Sequence, residues 1–207
     1  MNKLYIYGCS FSDVYLPDLY EKGWWELLAD HFDIRYENRA GSGYGWHRIR
    51  HRLFSDSLNW TPEDLLIVCP SFFGRVDIVE MNVDAPDFPT EPMWISYVDD
   101  WEKRYEYTEK DWSNVVNFLH KIGLNVYTWV IDPVNYTSVP EKCLIHPPGN
   151  FKGWWEWELS DSANWIVPYR HQCDNGEWLE RDAHFSDSAH IEVADTFIKH
   201  ITRYENI

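Results

Sequence analysis

No stretch of this chain stays apolar for the length of a membrane span, and the N-terminus lacks the basic-then-apolar pattern of a signal peptide. The expectation is a soluble protein with no membrane partner, cytoplasmic by default or carried in a viral particle. Positive charge is scarce: 18 Lys and Arg face 34 Asp and Glu, a formal net charge of −16. A nucleic-acid surface needs clustered cations, so no nucleic-acid partner is expected. Most of the acids read as a solvated surface. Cysteine is sparse as well. Cys9, Cys69, Cys143 and Cys173 never fall in C-x-x-C spacing, which argues against a zinc site or a disulfide framework. Cys69 lies in an apolar run and reads as a buried thiol, and Cys9 as a small residue packed at a strand end. The glycine-rich stretch from Asn38 to Gly45 lacks the lysine and Ser/Thr ending of a nucleotide P-loop.

What the chain does have is aromatic residues, with 13 Trp and 13 Tyr in 207 residues. Aromatic side chains dominate core energetics. In Lys152-Gly153-Trp154-Trp155-Glu156-Trp157, however, flanking glycine and charge make a sugar-stacking surface an equal reading. The length suits one domain, 1–207. Apolar runs near 4–7, 34–37, 65–69 and 124–131 read as strands. Helical spacing marks 23–32, a basic segment from Trp46 to Leu53, Tyr105 to Ile122 with Gly123 as its stop, and a final helix with Ala194, Phe197, Ile198 and Ile201 on one stripe. Alternating strands and helices predict an α/β fold with a parallel sheet. Two irregular insertions interrupt it, at about 76–104 and 132–179. The pentamer Lys-Gly-Trp-Trp-Glu at 22–26 and 152–156 has unmatched flanks and is no structural repeat.

In such sheets ligands bind beyond the carboxyl ends of the strands. The first strand ends in Gly8-Cys9-Ser10-Phe11-Ser12-Asp13, which places Ser10 as a candidate nucleophile. A serine needs a base, and a histidine base needs its ring held in one tautomer. Asp182 and His184 offer that pair in the polar segment Arg181–Ser188, expected to be a loop, because residues two apart on an extended chain point the same way. Acyl transfer also needs N–H donors at the developing oxyanion, available at Ser10 and in the Gly41–Gly45 loop.

These blocks resemble those of the SGNH, or GDSL-type, hydrolases. Gly8-Cys9-Ser10-Phe11-Ser12 looks like their Gly-Asp-Ser-x-Ser/Thr block, with Cys9 in place of the Asp. Asn38 and Gly43 resemble the second block, and His184, His190 and Ala194 keep the spacing of the last. The resemblance implies a three-layer αβα, flavodoxin-like fold and a Ser10-His184-Asp182 triad. It also implies oxyanion donors at Ser10 and Gly43, with Gly41, Ser71 and Arg75 as further candidates, and no metal or organic cofactor. Two departures stand out. The family's Asp lies three residues before its His, a spacing kept here by Asp187 and His190, although the distance to Ala194 favours His184. The family's third-block asparagine is missing at Pro70-Ser71-Phe72-Phe73.

The expected activity is hydrolysis of short acyl esters, with O-acetylated carbohydrate favoured over long lipid esters. The alternative is a catalytically weak or inactive glycan-binding or structural protein on the same fold. A carboxylate-based glycosidase ranks below both, since no particular pair of acids stands out.

Overall fold

In the computed structural model, four short strands pair in parallel in the order β2-β1-β3-β4. They are β1 (Lys3–Tyr7), β2 (Arg35–Asn38), β3 (Leu65–Val68) and β4 (Asn125–Thr128). The structure describes residues 1–12, 21–41, 44–70, 101–129, 138–146, 166–172, 178–185 and 187–205, with the backbone alone for Ser10, Trp101, Glu102, Arg104, 166–172 and 178–184. β1 and β3 are almost wholly apolar because both of their faces are covered. Side chains alternate along a strand, so Leu4, Ile6, Leu65 and Ile67 share one core while Tyr5, Tyr7, Leu66 and Val68 share the other.

The first core is closed by α1 (Trp24–Phe32) and α4 (Asp187–Glu205), the second by α2 (Trp46–Ser55) and α3 (Trp101–Lys121). The result is three layers, with the strand order reversing between β1 and β3. That reversal leaves a crevice at the carboxyl edge of the sheet. Beyond β4 the edge is extended by residues 143–145. The Thr128 N–H donates to the Cys143 carbonyl at 2.8 Å and the Ile145 N–H to the Thr128 carbonyl at 2.9 Å.

Helix boundaries follow local chemistry. Glu26 accepts the Gly23 N–H at 2.9 Å and so fixes the start of α1. Gly123, at φ 87°, terminates α3, a backbone conformation that glycine adopts without steric cost.

Two expectations are corrected. The segment Arg181–Ser188 is not a loop at its start: β6 (Trp178–Phe185) pairs antiparallel with β5 (Ile166–Gln172) in a separate two-stranded sheet. The hairpin lies partly inside the 132–179 insertion, where Pro168 and interspersed charge hide the period-two pattern. The 76–104 insertion likewise ends early, because residues 101–104 already belong to α3. The rest of that insertion, and the Trp154–Trp157 segment, lie outside the described residues.

Trp24 shows how the aromatic content is used. It is fully buried, stacks on Phe197 with ring centroids 4.8 Å apart, and donates its indole N–H to the Phe11 carbonyl at 3.0 Å. Trp24→Ala is expected to cost about 3–5 kcal/mol of stability, read from the midpoint of a urea unfolding curve.

Candidate active site

β1 ends at Gly8, and the chain folds back through a short 3-10 turn, Ser10–Ser12, closed by the Ser12 N–H on the Cys9 carbonyl at 2.9 Å. A Cβ on Gly8 would lie 2.8 Å from Ser12 Oγ and 3.2 Å from the Cys69 carbonyl. Glycine is what allows this close return. The loop after β2 runs alongside and is stitched to β1 and its turn. The Arg39 N–H donates to the Ile6 carbonyl at 2.8 Å and the Gly41 N–H to the Gly8 carbonyl at 3.1 Å. Asn38 adds a side-chain link, Nδ2 to the Ser12 carbonyl at 2.6 Å, while its Oδ1 accepts the Ala40 N–H at 2.9 Å.

A role for Gly41 as an oxyanion donor would have to give up this bond to Gly8. Gly43, Ser71 and Arg75 lie outside the described residues.

The last strand reaches the same place. β6 contacts the 3-10 turn, and the Phe11 and Phe185 rings meet with centroids 4.9 Å apart. Trp129, just past β4, stacks on Phe185 at 5.4 Å. Phe11 follows Ser10 and Phe185 follows His184, so one ring contact brings the backbones of the candidate nucleophile and base together. Asp182 occupies a β-bulge. Pro168 pairs with Ala183 and Tyr169 with Arg181, leaving Asp182 as the extra residue. Proline has no N–H for the ladder, and a bulge is where a strand tolerates it. The backbone register thus shifts by one residue between Arg181 and Ala183.

The competing pair with the family's spacing is employed elsewhere. Asp187 Oδ1 accepts the Glu21 N–H at 2.8 Å, and His190 Nδ1 accepts the Trp24 N–H at 3.1 Å. His190 is 2 % exposed and stands edge-on to Trp25 and Phe185. This pair latches the start of α4 to the segment that leads into α1.

The basic character of α2 has a local purpose that spacing did not reveal. Arg48 and Arg52 lie over the Tyr44 ring at 4.3 and 4.8 Å. That ring covers Gly41, where a Cβ would come within 2.2 Å of it. Arg50 instead pairs with Asp111 at 2.6 Å. Among the described residues no group of three or more His, Cys, Asp or Glu is placed to hold a metal. Nor is any helix there long and apolar enough to cross a membrane.

No protein-family model and no curated protein sequence matches the chain. Solved structures do. A member of the lipolytic G-D-S-L family from Veillonella parvula superposes with a TM-score of 0.55 at 9% identity, over 98% of this chain and 100% of that one. The esterase EstA from Pseudoalteromonas, solved inhibited by monoethylphosphonate, gives 0.52 at 11% identity over 100% of both chains. A catalytic mutant of Axe2, an acetylxylan esterase from Geobacillus stearothermophilus, gives 0.52 at 15% identity over 97% and 94%. At these identities the likeness establishes the fold: the chain has the three-layer architecture of the GDSL-type hydrolases, as the sequence blocks led one to expect.

Cys9 and Cys69 flank this edge, at 1% and 4% exposure. Burial pushes the Cys69 thiol up to about 12. Neither thiol is open to a reagent from solvent. Under native conditions near pH 8, a thiol reagent such as dithionitrobenzoate is expected to leave Cys9, Cys69 and Cys143 unmodified. All three should titrate once the protein is unfolded, with peptide mapping as the check.

Proposed function

We propose that this chain is a serine esterase that hydrolyses short acyl esters through a covalent acyl-enzyme. The observation that carries the reading is the Phe11–Phe185 contact at the carboxyl edge of the sheet. It draws together two segments, distant in sequence, that hold Ser10 on one side and His184 with Asp182 on the other. The shared fold with GDSL-type esterases supports the same placement.

In this mechanism Ser10 Oγ attacks the ester carbonyl while His184 accepts its proton. The carbonyl oxygen becomes an oxyanion and is received by the N–H groups of Ser10 and Gly43. His184 returns the proton to the departing alcohol, leaving Ser10 acylated. Water, deprotonated by His184, then attacks the acyl carbon, and collapse of the second tetrahedral species releases the acid and restores Ser10. Asp182 orients the imidazole and stabilises its protonated form. The register shift at Asp182 supports a spacing to His184 that differs from the family's. The family's third-block asparagine, a further oxyanion donor, is absent at Pro70-Ser71-Phe72-Phe73, and Ser71 and Arg75 are the candidates to substitute for it. Losing such a donor costs roughly 10²–10³ in rate, so a modest turnover number is expected.

The favoured substrate class is O-acetylated carbohydrate. Trp154, Trp155 and Trp157 lie in one short segment, and aromatic faces suit sugar rings. The acetylxylan esterase neighbour is consistent with that class.

Hydrolysis of p-nitrophenyl acetate tests the assignment. Ser10→Ala is expected to lower kcat/KM by about 10⁴-fold or more, and Asp182→Ala by about 10²–10⁴-fold. Asp187→Ala should leave the rate within about 2-fold while costing about 1 kcal/mol of stability through the lost Glu21 bond. Activity that survives Ser10→Ala overturns the nucleophile. A folded wild type without activity on this ester or on acetylated xylo-oligosaccharides favours the glycan-binding alternative.

A further inference from the structure

We propose that Asn38 is a positioning residue for catalysis, the strut that holds the nucleophile turn at a set distance from the oxyanion loop. The inference rests on the reading of Ser10 as nucleophile and Gly43 as oxyanion donor. Asn38 is the last residue of β2, where the chain leaves the sheet and enters the loop that contains Gly43. Its Nδ2 donates to the Ser12 carbonyl at 2.6 Å, at the end of the turn that contains Ser10. Its Oδ1 accepts the Ala40 N–H at 2.9 Å, inside the second loop. One planar amide thus grips both segments.

The other two links between these segments, Arg39 to Ile6 and Gly41 to Gly8, are backbone bonds that act nearer the strand ends. Of these three links, only that of Asn38 reaches Ser12, the last residue of the 3-10 turn. Few side chains can take its place. A carboxylate at this position has no donor for Ser12 at neutral pH, alanine has neither group, and glutamine is one methylene longer. Attack geometry is exacting: a displacement of about 1 Å costs about 10²-fold in rate. Loosening this strut moves Ser10 relative to the oxyanion donors without touching the acyl or alcohol groups of the substrate.

The test compares wild type, Asn38→Ala, Asn38→Asp and Ser10→Ala. Functional sites are counted by complete phosphonylation with a fluorophosphonate, and kcat and KM for p-nitrophenyl acetate are expressed per counted site. Thermal melting is followed in parallel. The expected result for both Asn38 variants is a kcat lowered about 30-fold or more, with KM within about 3-fold of wild type. Phosphonylation should slow in step while its final extent is unchanged.

A kcat per counted site within about 3-fold of wild type in both variants overturns the positioning role, even if the melting temperature falls. So does a rise in KM at constant kcat, which would make Asn38 a substrate contact. Loss of the fold in both variants assigns Asn38 to the scaffold alone and overturns it too. Activity retained by Ser10→Ala, or absent from wild type, removes the reading of the site and this proposal with it. An active wild type silenced by Ser10→Ala but indifferent to Asn38 removes the proposal only.

Discussion

The carboxyl edge of this molecule depends on the burial of one ring, Phe185. It ends a hairpin whose two strands bond to each other and not to the central sheet. A two-stranded hairpin is marginal by itself, so side-chain packing must hold it in place. Phe185 does so by stacking on Trp129, meeting Phe11 and standing edge-on to His190. Each such aromatic pair contributes about 0.5–1.5 kcal/mol beyond the area it buries. Trp24 and Phe197 extend the cluster into the helix layer, so α1, α4, β4, β6 and the first turn share one apolar interior.

Around that interior, backbone groups are paired locally and economically. Gly8 lets the turn return close enough for Ser12 to bury completely. Arg39, Gly41 and Asn38 then satisfy three carbonyls of the β1 end and its turn from the neighbouring loop. Left unpaired in a dry edge, such groups would each cost about 1–3 kcal/mol. The same logic explains Asp187 and His190, whose polar atoms take the N–H groups of Glu21 and Trp24 at the start of a helix.

The acidic excess is handled by concentrating the few cations where carboxylates approach the fold. Lys3 and Arg39 both pair with Glu37, and Arg39 reaches Asp56 at 3.2 Å. Tyr7, its phenol pushed up by burial, donates to the same Asp56 at 3.2 Å and accepts the Trp60 indole N–H at 3.1 Å. The Lys3 hydrogen bond holds the Glu37 carboxyl below its usual range. Lys142 likewise sits 3.0 Å from Glu205, which also takes the Tyr127 hydroxyl. These partly exposed pairs are worth little individually, but they keep the acidic chain from crowding like charge against its own sheet.

The sequence alone makes the central sheet and its helices legible, because strands buried on both faces must be apolar throughout and amphipathic helices must repeat their apolar stripe. Leu65–Val68, Leu4–Ile6 and the Ala194–Phe197–Ile201 stripe could hardly be read otherwise. It also marks the loops that leave the strands at the carboxyl edge. The hairpin escaped it, since Pro168 breaks the alternation and the resulting bulge shifts the register by one residue at Asp182. Two Asp–His pairs of similar spacing are visible in the sequence, with the distance to Ala194 favouring His184, and the tertiary structure shows Asp187 and His190 accepting the N–H groups of Glu21 and Trp24. Composition recorded an abundance of rings, but a ring contact is a property of two segments at once. Phe11 and Phe185 stand 174 residues apart in the sequence and 4.9 Å apart in the fold. Sequence periodicity reports how one segment meets an averaged interior; which segment it meets is decided only when the layers pack.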